Sequence, residues 1–344
     1  MPSPEPLSER ELRVLEAVVQ IYIETAEPAG SQTIARRFGL GVSSATIRNT
    51  MSELEEKGYL FHPHTSAGRI PTDRAYRLYV NQIMRTAPPT SEAQQALRTE
   101  LTGSRNAVEE IIRRAAQVLG VLTQELGVAV APALDEMVLE RLELVPVTAE
   151  RLLLVFNLRS GLVRTIFVEV PARLTGGIVQ EVTRILNERL GGLTLQHIRT
   201  TINERLRDTG DGSGRELLNI FIAEGEGIFD LSNEPNAVML GSAQMLADQP
   251  EFASNSRMRD LLRLTEGRDL LKQALATRRT HGLSITIGGE NRDTRLSEFT
   301  LVTSSYEAGA LRGVIGVMGP TRMPYDKIIG LVEHTSRLVE GLLE

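Results

Sequence analysis

The stretch GVSSATIRNTMSELEEKGY, from Gly41 to Tyr59, carries its own start and stop signals and so pins a helix to one place in the chain. Ser43 is suited to be the N-cap, because its hydroxyl can accept from the free N–H groups of the first turn. Gly58, just past Lys57, suits a left-handed C-terminal stop. Between them Ile47, Met51 and Leu54 fall at i, i+4 and i+7, a single narrow apolar stripe. Such a helix lies on a larger body and shows its other side to solvent. At about 100° per residue that side is Ala45, Asn49 and Ser52, flanked by Thr46 and Arg48. It is small and polar, with donors and acceptors of the kind that read base edges. An ordinary surface helix can share this pattern, so the neighbouring segments decide between the two readings.

Upstream, Ser8-Glu9-Arg10-Glu11 has the spacing of a capping box. The helix it predicts runs to about Thr25, with Leu12, Leu15, Val19, Tyr22 and Ile23 on its inner side, and Pro28-Ala29-Gly30 breaks it. Ser31 opens a short helix, QTIARRF, which Gly39 ends. Helix, short helix, Gly-containing turn and second helix is the helix-turn-helix order. Downstream, Tyr59-Leu60-Phe61 and Ile70-Pro71 read as two short strands around the loop HPHTSAGR, and Thr72 caps a helix, DRAYRLYVNQIM. A hairpin in that place is a wing, and Ser66, Gly68 and Arg69 at its tip suit phosphate or minor-groove contact.

Charge follows the same division. From Ser31 to Thr50 the chain carries Arg36, Arg37 and Arg48 and no acid. From Phe61 to Arg85 it carries Arg69, Arg74, Arg77 and Arg85 against Asp73 alone. Glu53, Glu55 and Glu56 make the far end of the predicted reading helix repel phosphate, as expected of a helix that meets the major groove by its N-terminal end. The alternative, that these charges line solvated helix faces, stays open on the sequence alone.

The remaining chain gives the wider frame. A length of 344 residues suits two or three domains. The absence of cysteine excludes disulfides and thiolate metal sites and fits a reducing cytoplasm. No apolar run approaches the ~18–20 residues that span a bilayer, so no membrane partner is expected. A net charge of −6 argues against a surface that coats nucleic acid throughout, but not against one basic face. Thr86-Ala-Pro-Pro-Thr90 predicts an extended linker. Helical periodicity follows over Ser91 to Thr102 and Arg105 to Leu126. Strand-like runs come next: VAVAP, MVLERLELVPV, RLLLVFNL and LVRTIFVEV. A helical block begins at Thr175, and strands resume at LSITIGG, LSEFTLVTSSY and LRGVIGVMG before a last helix from Asp326 to Leu343. Strands, helices and strands again predict an α+β domain with an insertion.

Two stretches are distinctive. HTSAGRIPTDRAYRLYV, from His64 to Val80, with SSATIRNTMSELEEKGYL before it, resembles HrcA, the bacterial heat-inducible transcription repressor family. GVIGVMGPTRMPYDK, from Gly313 to Lys327, is similar to the C-terminal segment of that family. The resemblance covers both ends and, by length and order, the whole chain. It implies a winged helix-turn-helix over residues 1–85, then a GAF-like α+β domain formed by 86–174 and 251–344, interrupted by an inserted dimerisation domain expected at 175–250. It further implies a homodimer on the CIRCE inverted-repeat operator upstream of the groE and dnaK chaperone operons, with the GroEL chaperonin keeping the repressor active. A rival reading is a repressor controlled by a small effector bound in the GAF-like domain.

The residues expected to contact double-stranded DNA are Ser43, Ser44, Thr46, Arg48, Asn49 and Ser52 on the reading helix, Arg36 and Arg37 before it, and Ser66 and Arg69 on the wing. Arg48 suits guanine or a phosphate and Asn49 suits adenine; the sequence does not choose. His62 and His64 share a strand face, but no third ligand lies near in sequence, so no metal is expected. Ile287-Gly-Gly-Glu-Asn291 lacks the spacing of a phosphate loop and reads as a strand-end turn. Gly319-Pro-Thr-Arg322 reads as a strand-to-helix turn with Arg322 paired internally. With scattered histidines, no GxSxG elbow and no cysteine nucleophile, neither catalysis nor a cofactor is expected. An assembly module with an incidental winged helix is the reading from another class, and the acid-free run Ser31–Thr50 stands against it.

Overall fold

The computed structural model describes residues 6–63, 68–102, 108–132, 136–159, 162–170, 175–208, 214–229, 238–278, 282–309 and 311–343. Helix α1 (Glu9–Thr25) starts at the capping box: Ser8 Oγ accepts from Glu11 N at 3.3 Å, and the Glu11 carboxylate accepts from Ser8 N at 2.8 Å. Helix α2 (Ser31–Phe38) ends at Gly39, whose φ of +53° suits a residue without Cβ. Helix α3 (Ser44–Glu56) is followed by strands β1 (Leu60–Phe61) and β2 (Ile70–Pro71), paired antiparallel, and by α4 (Asp73–Leu78), which runs on through one π-helical turn, Tyr79–Ile83. Three helices and a hairpin thus appear in the expected order.

Next come α5 (Ser91–Thr102), α6 (Val108–Thr123) and β3 (Leu126–Val130), then β4 (Leu139–Thr148), β5 (Arg151–Leu158) and β6 (Val163–Glu169). Helices α7 (Gly176–Leu190), α8 (Leu195–Arg207) and α9 (Arg215–Ile228) precede β7 (Val238–Leu240), α10 (Gln244–Ala247), α11 (Asn255–Glu266) and α12 (Arg268–Ala276). Strands β8 (Leu283–Ile287), β9 (Phe299–Ala308) and β10 (Leu311–Pro320) and helix α13 (Tyr325–Leu343) close the chain.

The larger sheet is antiparallel, in the order β7-β3-β10-β9-β8. Its central strand β10 is buried on both faces, so alternate side chains feed two cores. Ile315 and Val317 pack with Ile112, Ala115, Leu119 and Val332 of α6 and α13, whereas Val314 and Met318 pack with Leu261, Leu264, Leu271 and Leu275 of α11 and α12. The three layers come from that alternation. Helix α6 lies very close on β3: a Cβ at Gly127 would stand 1.7 Å from the Ala116 carbonyl oxygen.

Strands β4, β5 and β6 form a second, separate sheet. Leu152, Leu154 and Phe156 of β5 face Val182, Leu186, Ile198, Ile202 and Phe221 of α7 to α9 in one apolar cluster. Expected as part of the GAF-like domain, these strands instead share a core with the helices after them. The interior unit therefore begins near Met137, not at 175. It ends near Phe229, because β7 pairs with β3 (Val130 opposite Val238) and belongs to the larger sheet, on the other side of the expected boundary at 250. Periodicity reveals strands, but pairing between distant segments decides sheet membership.

Three further expectations change. Thr86–Thr90 is no free spacer: Ala87 N donates to the Asp326 carbonyl at 3.0 Å, and the chain lies where Gly330 of α13 leaves room for the Ala87 carbonyl. The helix expected to reach Leu126 stops at Thr123, turned by Gln124 in the left-handed region at φ +58°. Helix α8 was not foreseen, although Leu195, Ile198, Ile202 and Leu206 are spaced for it. Among the described residues no helix is long and apolar enough to cross a membrane.

The glycine contacts give a paired test. Gly127→Ala drives a methyl into backbone and is expected to lose about 3 kcal/mol or more. Gly177→Ala, in α7 with nothing within 4 Å of the new Cβ, is expected to gain up to about 1 kcal/mol. Chemical denaturation of the full chain measures both.

Candidate nucleic-acid interface

Helix α3 sits on α1 and α2 through Ile47, Met51 and Leu54, all buried, with Thr50 buried beside them. The opposite side presents Ala45, Arg48 and Asn49 to solvent, with Ser52 half-buried one turn on. Ser52 Oγ donates back to the Arg48 carbonyl at 3.2 Å. Ser43 caps the helix by accepting from Thr46 N at 3.1 Å, and its hydroxyl lies 2.9 Å from Thr46 Oγ1. Ser43 and Thr46 therefore already use their hydroxyls to shape the helix start. Ser44 is half-buried next to them. Arg48 is exposed and has no ion pair among the described residues, leaving its fork of donors free for an anion or a base edge.

The other cations of this module are largely engaged. Arg36 is exposed and bonds only the Gln32 carbonyl within its own helix, at 3.4 Å, whereas Arg37 pairs with Glu24 of α1. Arg69, expected at the wing tip, is engaged within the module. It stands at the base of the hairpin, its backbone paired with Ala29 of the α1–α2 loop, and its Nε donates to Glu55 of α3 at 2.7 Å. A carboxylate within the same module outcompetes solvent for a half-buried guanidinium. His62 lies beside it, Nδ1 2.9 Å from Arg69 Nη1 and 3.0 Å from the Gly68 carbonyl. Ser66 and His64 lie outside the described residues.

The basic run 61–85 is thus mostly structural. Arg74 stacks over the Tyr59 ring, Cζ 4.4 Å from its centre, and donates to the Lys57 carbonyl at 2.8 Å, closing the end of α3 where the helix dipole favours a cation. Arg77 turns away to Glu290 of the larger domain. Lys57 Nζ meets Glu11 at 2.6 Å, tying the end of α3 to the start of α1. What remains open on this surface is the α3 face with Arg48 and Asn49, and Arg36 at its edge. The sequence spacing predicts the exposure of that face but not the partners of Arg69, Arg74 and Arg77, which lie in other elements. The Ile287–Asn291 turn, read as a strand end, also turns out to meet α4, through Arg77 and Asp73.

Comparison with known proteins gives the family of the chain. The family model described as HrcA protein C terminal domain matches residues 109–329. A protein of Chlorobium phaeobacteroides (strain BS1) named heat-inducible transcription repressor HrcA is 38% identical over 339 residues, 95% of this chain and 96% of its own. Proteins of the same name from Chlorobium luteolum and Syntrophobacter fumaroxidans are each 36% identical and cover 98% of both chains. A crystal structure described only as that of a hypothetical protein superposes with a TM-score of 0.65 over 98% of this chain and 99% of the other; at 24% identity it supports the fold alone.

The Glu11 contacts make the module acid-sensitive. Burial raises the affinity of this carboxyl for a proton, but Lys57 and the N–H and hydroxyl of Ser8 outweigh it and hold the pKa down to about 2 from 4.5. A depressed carboxylate stabilises the folded state above its unfolded value, so this contribution is complete above pH 4.5 and fades as pH falls toward 2. Glu11→Gln is expected to cost about 2 kcal/mol at pH 7, discounted for the partly exposed Lys57, and to flatten the acid limb between those pH values. Urea titrations at pH 7 and pH 3 measure it.

Proposed function

The chain belongs to the HrcA family of heat-inducible transcription repressors, and from that premise we propose that it binds double-stranded DNA as a homodimer through α3, with the β1–β2 hairpin as a wing. The observation that carries this reading is the exposed face of α3: Arg48 unpaired and Asn49 beside it, on a helix whose other side is buried. A dimer is supported by the outer face of the three-stranded sheet. Val145, Val147, Val163 and Phe167 are 42–55% exposed there, and a cluster of that kind marks an interaction surface. Two reading helices related by a two-fold axis match an inverted repeat. The operator that fits the family is the CIRCE repeat of the groE and dnaK operons, relieved on heating as damaged proteins draw the GroEL chaperonin away. The interior unit 137–229 takes the role of dimerisation domain, and the sheet domain that of a GAF-like sensor.

A second reading has one observation in its favour. A cleft of about 910 Å³ opens between the N-terminal module and the larger domain, lined by Tyr22, Phe61, Phe252 and Phe299 among others. A small effector held there would touch both. Thermal-shift screening separates the readings, since a ligand of the native state raises the melting temperature.

Anisotropy titrations with operator and scrambled duplexes at two salt concentrations test the DNA reading. Asn49→Ala is expected to cost about 1–3 kcal/mol on operator and little on scrambled DNA. Arg36→Ala is expected to weaken both and lower the salt slope by about one. Unchanged binding in both variants would remove this surface from the proposal. For the dimer, Val163→Asp with Phe167→Asp is expected to give monomers in sedimentation without unfolding.

A further inference from the structure

Polar contacts at α4 and at the end of α1 hold the N-terminal module to the rest of the chain. On α4, Arg77 makes a two-point contact with Glu290: Nε donates to Oε1 at 2.7 Å and Nη2 meets Oε2, while Nη2 also donates to the Ile285 carbonyl at 2.8 Å. One turn earlier, Asp73 Oδ2 accepts from Gly289 N at 2.8 Å, and Gly288, at φ +51°, makes room for it: a Cβ there would be 2.1 Å from the carboxylate. At the end of α1, Arg322 Nη1 donates to the Ile23 carbonyl at 2.7 Å while its other nitrogens grip Glu251. Tyr76 packs on Tyr325 with ring centres 5.9 Å apart, between these polar grips. Beside them a cleft separates Phe61, Ile70 and Pro71 of the hairpin from Phe252 and Phe299 of the larger domain. The orientation of α3 is thus set, among the described residues, through α4 and the end of α1.

A linker that merely tethered the module would let the two reading helices of a dimer meet half-sites over a range of separations. A module clamped at two points offers one separation and one rotation. We propose that the Arg77–Glu290 and Asp73–Gly289 contacts are determinants of operator specificity, setting the half-site spacing that the dimer accepts without touching DNA themselves. The inference rests on the dimeric reading above. Charge-assisted, two-point hydrogen bonds suit this task because they resist rotation as well as separation.

The test uses the full-length protein, wild type and the Asp73→Asn/Glu290→Gln double variant, with Arg77→Lys as a milder one. Affinity is measured for a single half-site duplex, for the inverted repeat at its natural spacing, and for repeats with spacers altered by about five base pairs, half a helical turn. Wild type is expected to lose about 100-fold or more on the altered spacers. The double variant is expected to match wild type on the half-site, to bind the natural repeat about tenfold more weakly, and to lose under fivefold on the altered spacers. Arg77→Lys, which keeps a charge but not the fork, is expected to fall between. If the folded variants discriminate spacers as steeply as wild type, the inference is overturned while the dimeric reading stands. If wild type itself ignores spacing but binds the repeat more tightly than the half-site, the inference falls and the dimeric reading stands; if it binds repeat and half-site alike, both fall.

Discussion

The seam between α4 and α13, where Tyr76 meets Tyr325, joins two bodies that would otherwise need only a tether. The apolar cluster containing it runs without a break from Val14 and Ile47 of the N-terminal helices through Tyr79, Met323 and Ile328 to Val339. Burying both rings removes a large apolar area from water, and of the two hydroxyls only that of Tyr325 finds a partner among the described residues. Tyr325 Oη donates to the Thr321 carbonyl at 2.7 Å, in the same turn that aims Arg322 at α1. Apolar contact brings the bodies together, and the hydrogen bonds around it choose the angle.

The electrostatics of the N-terminal module follow an economy of the same kind. Its arginines look like a DNA-facing patch when counted along the chain, yet Arg37, Arg69 and Arg77 each sit on a carboxylate of another element. Half-buried pairs such as Arg69–Glu55 give up mobility for geometry, and they take the repulsion of Glu55 away from an approaching phosphate. The free positive charge that remains is small and local. That suits a protein of net charge −6 proposed to bind DNA through one helix face.

Much of this was legible in the chain, for local reasons. The start and stop of α3, the capping box of α1 and the order of helices and hairpin depend on residues three or four apart, and sequence spacing records such distances. Strands β4 to β6 were legible as strands, but their membership of a separate sheet was not, since Leu144 finds Leu154 and not a partner in β3 for reasons of global packing. Arg322 is paired internally as its turn predicts, but the same limit hid which partners it and Arg77 take. Their partners lie 213 and 299 residues away, and only the folded chain brings them within hydrogen-bond reach. Both distinctive stretches supply a residue to the seam, Tyr76 from one and Tyr325 from the other.

The pairing of Val130 with Val238 has a consequence for how the interior unit came to be carried at all. The chain leaves the larger sheet at the end of β3 and comes back on the strand hydrogen-bonded next to it. To that sheet, the whole unit is the loop of one long hairpin. Closing a loop grows costlier only with the logarithm of its length, and here adjacent strands already hold the ends together. The length of the unit is therefore of small cost to the sheet domain, whose other ties to it include Leu311 of β10 in the unit's apolar core and the pairing of Arg164 of β6 with Glu109 of α6.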